Sequence, residues 1–293
     1  MYLTGFADEA SQDLMCQIEA TKELGWNAIE ARSIEGTNIH DLNEKSFNSA
    51  CESFAAAGIQ INCFGSTIGN WSKGIEDPFE ITLAEISRTI PRMHLLDVKL
   101  IRIMSYARCA GEDQIKEERF RRLREITNRF LDAGITPVHE NCMNYGGMSW
   151  RHSLELIENV PGLKLVFDTG NPVVSQDFSK KAYQSQCPLE FFEKIQKYVV
   201  YVHIKDARLE KGKEIFVNPG EGDAKIPEIL QKLKDSDYKG GISIEPHMAS
   251  VFHDPTINTI STKESYKTYI NYGFKLMKLL NKIEFSPIHY SNN

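Results

Sequence analysis

The 293-residue chain has no excess of basic residues, no paired-cysteine motif and no long apolar run, and each absence excludes a class of function. Its 34 Lys and Arg against 40 Asp and Glu give a formal charge of -6, which raises the electrostatic cost of approaching a phosphate backbone. Nucleic acid is therefore not an expected partner. Six cysteines at 16, 51, 63, 109, 142 and 187 are irregularly spaced without a CxxC pair, and the N-terminus MYLTGFADEA lacks a basic then apolar leader. These features point to reduced thiols in a cytoplasmic protein. No stretch reaches the roughly 20 apolar residues that span a bilayer, so no membrane is expected. No linker or low-complexity tract marks a second domain.

What is present is repetition. Eight short β-rich runs, at 2–6, 27–31, 59–64, 98–104, 135–139, 163–167, 199–204 and 241–244, alternate with longer segments of helical period. Alternating strand and helix imply parallel βα units, and eight strands are the number that closes a barrel. Several helical segments, among them EKSFNSACESFAAAG and EERFRRLREITNRFLDAG, end at a glycine suited to a left-handed cap. An open doubly wound sheet is the rival, but no glycine-rich phosphate fingerprint follows the first run. The expected fold is a single (β/α)8 TIM barrel over 1–281, closed by a helix at 262–280. A tail at 282–293 either contacts a neighbour or is disordered.

In such a barrel the active site lies where strands end, so the polar residues after each apolar run carry the information. Strand five ends in His139 and Glu140, strand six in Asp168, strand seven carries His203, and strand eight ends in Glu245 and His247; strands one and two add Asp8, Glu9, Glu30 and Arg32. Converging carboxylates repel one another unless a cation neutralises them. Three carboxylates and an imidazole suit one divalent ion, Mn²⁺, Mg²⁺, Co²⁺ or Zn²⁺, without choosing among them. Each residue also has an ordinary reading: Asp168 before Thr-Gly as a cap, His203 as a core histidine, Glu140 or Glu245 as a salt-bridge partner. It is the four together at successive strand ends that favour a site.

At these residues the chain resembles the sugar phosphate isomerase/epimerase group of the xylose-isomerase-like barrels, which includes tagatose 3-epimerase, hydroxypyruvate isomerase and inosose dehydratase relatives. HENC at 139–142, FDTGN at 167–171, HIKDAR at 203–208, PGEGDAKIPEIL at 219–230 and IEP at 244–246 carry the likeness. The resemblance implies Glu140, Asp168, His203 and Glu245 as metal ligands, with Glu140 and Glu245 doubling as the acid/base pair. It gives Arg208 a supporting role at the active site. Asn171 stands where some epimerases carry a substrate-holding histidine. Relatives are often homo-oligomers.

The expected chemistry is proton transfer beside a carbonyl, in which a Lewis-acidic ion stabilises the developing enediolate and two glutamates act from opposite faces. That serves a sugar isomerase or epimerase. The alternatives are a dehydratase on an inosose-like or keto-sugar substrate and a non-catalytic sugar-binding barrel. Glu9, Arg32, Asn171, Lys205, Arg208 and His247 are the expected substrate contacts. A sugar or keto-polyol without phosphate is preferred, since the ligand set already leaves the first shell near minus one by ligand counting. Trp71, Tyr106, Asn144, Tyr145 and Trp150 are loop residues placed to stack on a sugar or simply to pack, and Cys142 is expected as a small buried residue. Asp223 is expected to cap the helix that follows it, against a weaker reading in which PGEGDAK cradles an anion.

Overall fold

A computed structural model of the protein describes residues 1–111, 113–182, 184–249 and 261–291. Eight parallel strands form one sheet: β1 (Tyr2–Gly5), β2 (Ala28–Ala31), β3 (Gln60–Gly65), β4 (Leu100–Ile103), β5 (Thr136–Glu140), β6 (Lys164–Asp168), β7 (Val199–Ile204) and β8 (Gly241–Ile244). Each pairs with its sequence neighbour from β2 to β8, and β8 pairs with β1. The barrel is thus nearly closed, and the open doubly wound alternative does not apply. At the remaining seam between β1 and β2, the Thr4 hydroxyl donates to the Ala28 carbonyl at 3.0 Å.

Helices cover the outside of the barrel: α1 (Leu14–Glu23), α2 (Glu44–Ala57), α3 (Phe79–Leu95), α4 (Lys116–Asp132), α5 (Trp150–Asn159), α6 (Pro188–Ile195), α7 (Ile226–Asp235) and α8 (Thr262–Lys282). The expected glycine stops are met after α2 and α4, where Gly58 and Gly134 hold φ of 68° and 72°. Among the described residues no helix is long and apolar enough to cross a membrane. The chain after α8 folds back along the start of β1. Asn27 exchanges two hydrogen bonds of 2.9 Å with the Tyr290 backbone, and the Tyr2 and Tyr290 rings lie 4.5 Å apart. Residues 292–293 of the expected tail lie outside the described residues.

The period of two along a strand sorts the interior into layers. Cys63, Val138, Val166 and Tyr201 form an inner apolar cluster, and the next inward positions on β5, β6 and β7 are Glu140, Asp168 and His203. The acids therefore stand one step above an apolar floor.

Two antiparallel hairpins not anticipated from the sequence decorate the mouth, at Ser33–Ile34 with Thr37–Asn38 and at Asp206–Glu210 with Lys213–Val217. The second is anchored by Asp206. Its carboxylate accepts from the amides of Ala207, Gly220, Gly222 and Ala224 at 2.8–3.1 Å. This corrects two expectations. Asp223 does not cap α7, whose N-cap position is Lys225 in a left-handed conformation without a side-chain cap. The PGEGDAK amides are not free for an external anion, because an internal carboxylate takes them.

Removing that anchor leaves four amides to find other acceptors, each unmet one costing about 1–3 kcal/mol. Asp206→Ala is expected to lower stability by about 3 kcal/mol in urea unfolding, with Asp206→Asn intermediate. A wild-type midpoint for Asp206→Ala would refute the anchoring role.

Candidate metal and proton-transfer site

Glu140, Asp168, His203 and Glu245 are all buried, and one donor atom of each lies within 4.8 Å of the others. The structure brings together the four side chains singled out in the sequence. How each acid tolerates the others is visible in how it divides its two oxygens. Asp168 uses Oδ1 as a cap for the amides of Gly170 and Asn171, at 2.9 and 2.7 Å. Glu140 gives Oε2 to Arg102 at 3.0 Å, and Glu245 gives Oε1 to Arg32 at 2.9 Å. The second oxygens, Glu140 Oε1 and Glu245 Oε2, each stand 3.7 Å from His203 Nδ1. Cap, ion pair and site are thus realised by the same side chains.

The imidazole is oriented from behind. Glu30, fully buried on β2, accepts from His203 Nε2 at 3.1 Å and from the Ser243 hydroxyl at 2.6 Å. With Nε2 engaged, Nδ1 is the nitrogen turned to the carboxylates, and it is buried without a hydrogen-bond partner among the described residues. Asp168 Oδ2 likewise has no directed hydrogen bond. Once Nδ1 gives up its proton, that nitrogen and the carboxylate oxygens facing it form a donor set that can hold a divalent cation, with the carboxylate behind the imidazole as usual at such centres.

The charges follow from burial and pairing. Burial opposes ionisation of Glu140, but Arg102 and His203 outweigh it and hold the carboxyl at about 2. Burial also opposes the charge on Glu245, which Lys205, His247, His203 and Arg32 together keep well below the usual range. For Asp168, burial and the two glutamates prevail over Lys205 and push it up to about 7. His203 is lowered by burial and raised more strongly by Glu30 and Glu140, reaching about 10. Beneath the cluster, the ring of Phe6 stacks with the guanidinium groups of Arg32 and Arg102 at 4.2 and 5.1 Å and meets His203 edge-on at 5.0 Å.

Above the cluster an open pocket is lined by Arg32, Asn171, Lys205 and His247, four of the side chains singled out in the sequence as substrate contacts. Lys205 Nζ lies 2.9 Å from Asp168 and 3.3 Å from Glu245. Asn171 donates to Glu140 Oε1 at 3.3 Å. Glu9 lies behind the cavity, pairing with Arg32 at 3.2 Å and accepting from the His247 amide at 2.7 Å. Arg208 is not brought into the site: its side chain is 43% exposed on the second hairpin and pairs with Glu210.

Of the loop aromatics only Trp71 lines the cavity. Tyr106 and Tyr145 are buried, their hydroxyls bonded to Thr82 and Glu155, Asn144 bonds Ser105 and the Glu140 carbonyl, and Trp150 packs against Arg151 and Lys194. Cys142, expected to be buried, is partly exposed and lines the cavity. Sequence reasoning missed Thr67, Asn70, Met104, Glu214 and Phe216 in its wall. Phe216 and Glu214 arrive on the unanticipated hairpin. The short β-branched and aromatic run IFV within it was the available signal.

The fold and this site define a metal-competent α/β barrel. Residues 18–267 match the xylose isomerase-like TIM barrel family, and the chain belongs to it. Over 122 residues it is 27% identical to an inosose dehydratase of Clostridium perfringens, a match covering 36% of this chain and 38% of that protein. The chain matches no more than about half the length of the curated relatives that head the comparison. Among solved structures, a D-tagatose 3-epimerase-like protein superposes with a TM-score of 0.70 at 19% identity, covering 97% of this chain and 98% of that one. The IOLI protein with a bound zinc atom gives 0.69 at 17% identity, covering 97% and 99%. At these identities the structural matches show the shared fold.

The raised carboxyl of Asp168 has a consequence for stability. A folded-state value above the unfolded one, about 3.9, favours folding at low pH, and the contribution is lost as pH rises through about 7. In EDTA, the stability of wild type minus that of Asp168→Asn is expected to fall by on the order of 1–3 kcal/mol between pH 4.5 and 7.5. A constant difference in urea unfolding across that range would show that Asp168 is already ionised at the low end.

Proposed function

We propose that the protein is a divalent-metal-dependent sugar isomerase or epimerase, moving a proton beside a carbonyl with Glu140 and Glu245 as the acid/base pair. The observation that carries this reading is the convergence of two buried, ionised glutamates on His203, their inward oxygens each 3.7 Å from Nδ1, at the floor of an open pocket lined by polar and aromatic side chains. Glu140, Asp168, His203 and Glu245 would hold the ion, which the zinc in the IOLI protein supports. When bound, it supplies Lewis acidity that lowers the barrier to removing a proton from carbon next to a carbonyl. Its identity within Mn²⁺, Mg²⁺, Co²⁺ and Zn²⁺ is left to measurement.

The protein's own groups do the rest. A glutamate held ionised by Arg102 can accept a proton from one face of the substrate; the other glutamate, once it has taken up a proton from solvent, gives that proton to the opposite face and inverts a centre, and the first then releases its proton to water. Return to the neighbouring carbon instead interconverts aldose and ketose. Asn70, Thr67 and Asn171 offer hydrogen bonds for hydroxyl groups, while Trp71 and Phe216 supply apolar faces. The three cations lining the cavity, Arg32, Arg102 and Lys205, are each already paired with carboxylates, which favours a neutral sugar or keto-polyol over a phosphate ester.

The match to an inosose dehydratase favours a second reading, a dehydratase on a keto-inositol, whose first step is the same proton abstraction. There His247, whose ring lies 3.9 Å from Glu245 Oε1 and lines the cavity, would serve the departing hydroxyl.

Ketoses, aldoses and keto-inositols incubated with Mn²⁺ in D₂O are expected to yield at least one product carrying solvent deuterium at carbon. Glu140→Gln and Glu245→Gln are each expected to reduce that incorporation by about 10²-fold or more. Products that have lost water identify the dehydratase. A fully metal-loaded protein that labels none of these substrates would refute both readings.

A further inference from the structure

Arg32 and Arg102 pair with the cluster through the oxygens turned away from its centre, Glu245 Oε1 and Glu140 Oε2. Lys205 does not. Its ammonium takes Asp168 Oδ2 and Glu245 Oε2, the two oxygens left for a cation, at 2.9 and 3.3 Å. It is buried, and its stem lies against Gly170, where an added Cβ would come within 2.8 Å of Lys205 Cγ, so the absence of a side chain there makes room for this seat. A monovalent ammonium and a divalent ion cannot share the same two oxygens without strong repulsion.

The lysine has somewhere else to go. Glu214 lines the same cavity from the second hairpin and forms no ion pair with any described residue, although its carboxyl feels the charge of Lys205 and His247. A flexible four-carbon stem carrying three rotatable donors suits exchange between two seats.

We propose that Lys205 is a displaceable counter-ion built into the site, seated between Asp168 and Glu245 when no divalent ion is bound and turned towards Glu214 when one is. The inference rests on the reading of the four-residue cluster as a metal centre. It explains how the carboxylates stay folded together without metal, since Asp168 and Glu245 are never left facing each other unneutralised. It also makes ion binding an exchange of cations, weaker and more reversible than binding to an unguarded cluster. Loading the ion then brings an ammonium donor over the substrate cavity.

The test is calorimetric titration of Mn²⁺ into the EDTA-stripped, dialysed protein, with thermal unfolding in EDTA alongside. Lys205→Met is expected to bind Mn²⁺ roughly tenfold more tightly than wild type, about 1.4 kcal/mol, while melting at a lower temperature without metal. Glu214→Gln is expected to bind more weakly, and that loss should vanish in the Lys205→Met background, where no lysine needs the second seat. Lys205→Gln carries the same expectation as Lys205→Met if the latter does not stay folded when stripped. Mn²⁺ affinity in the lysine variants equal to or below wild type overturns the counter-ion role. An equal loss from Glu214→Gln in both backgrounds overturns the second seat. Absence of Mn²⁺, Mg²⁺ and Zn²⁺ binding in wild type and lysine variants alike is a different failure, that of the metal centre itself.

Discussion

Mutual repulsion among buried acids at one level of the barrel is the constraint around which this protein is organised. Glu140, Asp168 and Glu245 sit in a layer where an uncompensated charge would be prohibitively costly, and the solution is the same for each. One oxygen is committed to a fixed donor, Arg102, a pair of backbone amides or Arg32, and the other is left at the centre. The committed oxygens fix direction and ionisation; the remaining ones lie close enough together that they could hold a cation. Behind them, Glu30 and Ser243 orient His203, and Phe6 offers its ring to two arginines and the imidazole at once.

The scaffold serves this arrangement through parallel register. Asp168 pairs with His203 and His203 with Ser243 across adjacent strands, so residues far apart in the chain reach one level of the barrel. The wall of the cavity depends on a different device. The hairpin that carries Glu214 and Phe216 is tied down by Asp206, whose carboxylate replaces an external anion among the glycine-rich amides. Asp206 follows the strand-seven histidine by three residues, so one short motif builds both the centre and part of its rim.

Particular residues show how much of this was legible. All eight strands were readable because buried parallel strands leave continuous apolar runs punctuated by turn residues, and the four central side chains were readable because they end such runs. Arg208 was misplaced for an instructive reason. Its role came only from the family likeness of HIKDAR, and here the chain turns into a hairpin after Ile204 and carries Arg208 out to Glu210. Asp223 has the residue type of a helix cap, yet α7 begins only at Ile226, with Lys225 in the cap position. Trp71 and Trp150 were both read as loop tryptophans, yet Trp71 lines the cavity whereas Trp150 opens α5 and packs on Lys194.

The amino-acid sequence by itself determined the barrel, its strand count and the identity of the acids and imidazole at its mouth, because periodicity and strand-end chemistry are local properties of the chain. Which oxygen faces which cation was decided only in three dimensions. The pairings of Arg32 with Glu245, Arg102 with Glu140, Glu30 with His203 and Lys205 with Asp168 span 213, 38, 173 and 37 positions respectively. Distances that long become contacts only when strands closed into a ring are held in register, and the direction of each side chain then follows from the competition of every charge around it.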